Sequence, residues 1–102
     1  MDDHLAAMRA YLRITHNSLD GEITDLIAAA RDDLVLGGVL RSRAENEDDA
    51  LVKRAVGLYV KAEFGLDNED ADRYREAYRE LKTRLLLADQ YIAPEEDDNA
   101  LA

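Results

Sequence analysis

A chain of 102 residues is the size of one ordinary domain, and dividing it would leave each half near the lower limit for independent folding. Apolar residues at 47% suffice for one core, and charged residues at 35% suit helices with long solvated faces. The 13 basic and 23 acidic side chains leave a formal charge of −10, the wrong sign for gripping nucleic acid through its phosphates, and the absence of cysteine excludes disulfides and thiolate chemistry.

In chain order, Leu5, Met8 and Leu12 recur at helical spacing behind Asp2 and Asp3, so a short first helix is expected from Asp2 to about Tyr11. Ile14-Thr15-His16-Asn17-Ser18 then supplies β-branched and turn-forming residues that compete with helical backbone bonding. A second helix is expected from about Asp20 to Leu36, with acids Asp20, Glu22 and Asp25 at its positive end and Ile23, Leu26, Ile27, Ala30 and Leu34 on one stripe. Gly37-Gly38 ends it, because glycine takes the left-handed closing conformation at least cost.

Residues 39–47 show little periodicity and read as an exposed loop between antiparallel helices. The third helix, from about Asp48 to Phe64, is apolar over most of its circumference, which suits the middle of a bundle or a wall of a subunit interface. Gly65 and the polar turn Asp67-Asn68-Glu69-Asp70 follow. The fourth helix is expected from about Asp70 to Tyr91, with Tyr74, Tyr78, Leu81, Leu85 and Ala88 on a heptad-like seam. The expected fold is therefore all-α, a small four-helix bundle over residues 1–91 with a mobile acidic C-terminal tail over 92–102. Its core should contain Leu26, Ile27, Ala30, Val52, Ala55, Tyr59, Leu81 and Leu85.

Catalytic and metal motifs fail on inspection. His4 and His16 lack companion ligands and read as surface or capping residues. Counted from Asp67 as a calcium loop, the sixth position is Asp72 rather than glycine and the twelfth is Tyr78 rather than glutamate. The hydroxyls of Thr15, Ser18, Thr24, Ser42 and Thr83 lie in no nucleophile motif, and Gly37-Gly38 lacks the lysine and helix start of a phosphate loop. Carboxylate pairs such as Asp32-Asp33 read as solvated, and the Tyr74/Tyr78 stripe reads as core. No cofactor or metal is expected, and no reaction. No apolar run approaches the roughly 20 residues of a membrane span, and the acidic start is unlike a signal peptide, so cytoplasmic synthesis without membrane contact is expected.

Four phrases occur in an order that resembles the head-tail connector, or neck adaptor, proteins of long-tailed bacteriophages. They are Tyr11-Leu12-Arg13-Ile14, then Ile23, Leu26, Ile27, Ala30 and Arg31, then the apolar run Leu51 to Val60, then Tyr78, Leu81 and Leu85. The resemblance covers about residues 5–91, with Thr15 standing where many relatives carry an acid. It implies a structural subunit of the virion neck, made in the host cytoplasm. Such subunits form a ring, commonly dodecameric, beneath the portal protein; the ring meets a second neck or tail-completion protein and extends the DNA channel. DNA would pass without specific binding, which suits a negative wall. Contacts to the ring or portal would then involve Arg41, Arg43, Lys53, Arg73, Ile92 and Leu101. The channel-facing acids would come from Glu45, Glu47, Asp48 and Asp49, or from Asp67, Glu69, Asp70 and Asp72. Two other classes fit the composition: an acidic regulatory or DNA-mimic protein that occupies a basic partner, and a helical enzyme or enzyme subunit completed by another chain.

Overall fold

The computed structural model describes residues 3–12, 19–64 and 69–93. The expected turn at 14–18 with His16, the glycine stop at Gly65, Asp67, and the tail from Pro94 through Leu101 lie outside these residues. Every regular element among them is a helix, in the order α1 Asp3–Tyr11, α2 Asp20–Gly37, α3 Arg41–Ala44, α4 Ala50–Glu63, α5 Ala71–Leu86 and α6 Asp89–Ile92. The all-α expectation is borne out. The simple four-helix count is not, because two single-turn helices are added and the packing is centred rather than cyclic.

The centre is α4, which packs on α1, α2 and α5, while α2 and α5 are not a main packing pair. Composition explains this arrangement: α4 buries Val52, Ala55, Val56, Gly57, Val60 and Ala62, whereas α5 buries only Tyr78, Leu81 and Leu85 along one stripe. Of the two roles expected for the third helix, the monomer itself uses most of its apolar surface. Leu51, 45% exposed, is the large exception.

Closure of α2 follows the expected glycine chemistry. Gly38 takes φ 126°, its N–H donates to the Val35 carbonyl at 3.0 Å, and Val39 N–H donates to the Leu34 carbonyl at 2.9 Å. This is the Schellman pattern, completed by the apolar contact of buried Val39 with the core that holds Leu34. The turn also corrects the reading of residues 39–47 as an exposed loop. Val39 and Ala44 are core residues, and the Leu40 carbonyl accepts from Arg43 N–H at 3.0 Å and Ala44 N–H at 2.9 Å, which starts α3.

The fourth helix is likewise shorter than its seam implied. α5 stops at Leu86, and Ala88 is extended at φ −106°, ψ 118°. That kink turns Tyr91 inward, where its carbonyl accepts from Leu40 N–H at 2.8 Å and its hydroxyl donates to Asp49 Oδ1 at 3.1 Å. Asp49 also caps α4, accepting from the N–H groups of Leu51 at 2.9 Å and Val52 at 3.1 Å. Of the expected core, Ile27, Ala30, Val52, Ala55, Leu81 and Leu85 are buried, while Leu26 and Tyr59 are only partly so. Met8, Ile23, Leu34, Val56 and Val60 fill the space instead.

Candidate functional site

A cleft of about 290 Å³ lies where the second half of α2 faces α4 and α5. α2 contributes Asp33; α4 contributes Tyr59 and Glu63; α5 contributes Arg75, Tyr78 and Lys82, which its 3.6-residue period brings to one side. Tyr78 O–H donates to Asp33 Oδ2 at 2.5 Å, and Lys82 Nζ donates to the same oxygen at 2.9 Å. The Tyr59 and Tyr78 rings meet edge to face at 5.4 Å and 73°. At the rim, Arg75 bridges Glu63 at 2.8 Å and Asp72 at 3.0 Å.

The electrostatics give these groups a structural task. Burial pushes the Tyr78 phenol far above its ordinary range, and its bond to the Asp33 carboxylate and the nearby negative charge push further the same way. At Asp33 burial works upward, but the hydrogen bonds from Tyr78 and Lys82 and the Lys82 charge outweigh it, so the carboxyl lies below its usual value. A phenol held protonated and a carboxylate held ionised are poorly matched to acid or base work near neutrality. Their effect is to tie α5 to α2. Gly37 permits the close approach, since a Cβ there would fall 2.6 Å from Lys82 Cε.

A second polar contact ties α1 down. His4 is wholly buried, which corrects the surface or capping role expected for it, and its Nδ1 accepts from the Arg31 guanidinium. Arginine can only donate, so the neutral ring carries its hydrogen on Nε2. The spacing of four between His4 and Met8 was the signal for this burial, because both then point to the core face of α1. Asp33 gave a fainter one: it adjoins Asp32, which is exposed and pairs with Arg41, and the sequence does not separate the two.

The residues singled out in the sequence do not gather at one place. Arg41 pairs with Asp32 at 3.2 Å and with Glu45 at 3.1 Å, Arg43 donates to the Gln90 carbonyl at 2.9 Å, and Arg73 pairs with Asp70 at 3.3 Å. Lys53 is half-buried on α4, and Ile92 closes α6 against the core. Glu45 and Asp48 lie between α3 and α4 and are exposed, Glu47 is half-buried, and Asp49 is committed to its cap and to Tyr91. Glu69, Asp70 and Asp72 are exposed at the start of α5. The most exposed large apolar side chains, Leu36 at 87% and Leu87 at 80%, adjoin the contact between Gly37 and Leu86.

Among the described residues no group of three or more His, Asp or Glu is placed to hold a metal ion, and no helix is long and apolar enough to cross a membrane. Fold and site together define a small all-helical module whose buried polar contacts fasten helices to one another and whose charges and leucines face outward. The chain belongs to the phage connector protein family, whose model matches residues 5–92. Comparison with curated proteins and with solved structures gave no match. The family match bears out the resemblance drawn from the order of the sequence phrases, and with it a general role in joining phage head and tail.

Proposed function

We propose that the chain is a structural subunit that closes into a ring beneath the portal protein, commonly of twelve copies, meets a second neck or tail-completion protein, and extends the DNA channel in the virion neck. The family match over residues 5–92 carries this reading. The outward leucines, Leu36 and Leu87, support it as apolar surface available for a heterologous contact with a neighbour. Arg41, Arg43, Lys53 and Arg73 would trade or share their present partners there. Native mass spectrometry of the purified chain, alone and with its portal protein, tests the ring; a chain that stays monomeric at high concentration and beside the portal ends the proposal. Binding to a basic nucleic-acid enzyme instead would favour the DNA-mimic class.

The charge of −10 supports an electronegative inner wall, along which a polyanion slides without sticking. Its carboxylates would come from Glu45, Glu47 and Asp48 or from Glu69, Asp70 and Asp72. Lysine at Glu47 and Asp48, sparing the Asp49 cap, should raise DNA affinity of the assembled ring with a steep salt dependence, and so should lysine at Glu69 and Asp72 if that turn faces inward. Unchanged DNA binding in both variants would remove the channel-wall assignment.

A further inference from the structure

On the side of α5 opposite the tyrosine cleft, α4 and α5 leave a groove of about 120 Å³ lined by Arg54, Leu58, Ala77, Glu80, Leu81 and Arg84. Its apolar side chains are Leu58, Ala77 and Leu81, and beside them stand the Arg54 and Arg84 guanidinium groups and the Glu80 carboxylate. In a protein with ten excess negative charges, neither Arg54 nor Arg84 makes an ion pair among the described residues, even though Glu80 stands one turn before Arg84. The other arginines described, Arg79 apart, are bonded to a carboxylate, a backbone carbonyl or His4. The groove thus sets two guanidinium groups against one carboxylate beside three apolar side chains, with neither arginine ion-paired among the described residues.

We propose that residues 94–102 of the same chain occupy this groove, with carboxylates from the run Glu95-Glu96-Asp97-Asp98 on Arg54 and Arg84 and the Leu101 side chain seated over Leu58, Ala77 and Leu81. Charge complementarity is the first argument: four consecutive acids meet the two unpaired guanidinium groups. Capacity is the second. Leu101 is the only large apolar side chain of this segment, and a space of 120 Å³ takes one such group, given that a cavity of about 150 Å³ holds a benzene. Reach is the third. The nine residues after Ala93 span up to about 30 Å when extended. α6 already lies beside the start of α4 through the 3.1 Å bond between Tyr91 and Asp49, and Arg54 follows Asp49 by five residues, about 8 Å along the helix axis. Nine extended residues are therefore long enough to reach the groove from the end of α6. This contact is independent of ring formation and of the connector reading.

The absence of cysteine makes the test direct, because Asn99→Cys in the full chain offers a single site for a nitroxide label. With the labelled chain dilute and enriched in ¹⁵N, paramagnetic broadening should appear at the amides of Arg54, Leu58, Ala77 and Leu81. It should vanish in the double variant Arg54→Glu, Arg84→Glu, and weaken strongly at about 1 M salt, where screening acts within roughly 3 Å. Should that variant disturb the fold, as its amide spectrum would reveal, reversal of the acids at 95 to 98 to lysine must abolish the broadening instead. Undisturbed groove amides in the labelled chain overturn the proposal. So does broadening seen only when an unenriched labelled chain is mixed with an enriched unlabelled one, since the groove would then hold a neighbour's tail.

Discussion

Among the described residues two tyrosine-to-aspartate bonds join separate helices, and the same pair of groups does different work in each. Tyr78 and Asp33 link α5 to α2 across the open cleft, at 2.5 Å, with Lys82 sharing the carboxylate oxygen. Tyr91 and Asp49 link α6 to the start of α4 at 3.1 Å, and the same carboxylate oxygen is already the cap of α4. The first bond fastens two helices whose backbones scarcely meet; the second couples the beginning of the central helix to the end of the described chain. One aspartate acts as a cross-tie and the other as a hinge pin, and the difference lies in what else each oxygen accepts.

The largest test of this contrast removes the rings. Tyr78→Ala, at a site 6% exposed between two long helices, should cost about 3 to 5 kcal/mol in urea unfolding, whereas Tyr91→Ala should cost nearer 2 kcal/mol, because the single turn of α6 can close over the space. Equal losses would mean that α6 is as rigidly held as α5.

Removing the carboxylates should reverse the order. Asp49→Ala takes away a helix cap and a phenol acceptor together and should cost about 2 kcal/mol. Asp33→Ala, whose side chain is 40% exposed, should cost about 1 kcal/mol after solvent screening. A greater loss at Asp33 than at Asp49 would overturn the division of roles.

The hydroxyls alone should contribute about 1 kcal/mol each, and Tyr78→Phe and Tyr91→Phe separate best by pH. Both phenols are raised above 10.0, so their contribution is present below that pH and is lost as pH rises beyond it; Tyr78→Phe should flatten this alkaline loss more, since its shift is the larger. Asp33 is lowered from 3.8, so its contribution is present above that value and lost as pH falls through the folded one. Without the Tyr78 bond that acid loss should begin at higher pH, a shift absent from Tyr91→Phe. The smallest effect belongs to the cleft rim: Arg75→Ala, exposed and solvated, should leave the unfolding midpoint unchanged while both tyrosine bonds persist.

Sequence periodicity was enough to read helix class, the ends of α2 and α4 to within two residues, the glycine closure at Gly38, and six of the eight expected core residues. It also carried the family, because the order of the apolar phrases survives without any knowledge of packing. These features depend on local backbone preference and on which face of a helix is apolar, and both are written in neighbouring residues. The one-turn helices α3 and α6, the burial of His4, the choice of Asp33 over Asp32 and the double use of Asp49 came only with tertiary structure. Each depends on a partner 27 to 51 positions away, such as Arg31 for His4, Tyr91 for Asp49 and Leu40, or Lys82 for Asp33. A single carboxylate or imidazole looks the same in sequence whether water or a distant side chain completes it, and only the packing of α1, α2, α5 and α6 around α4 determines which of the two does so.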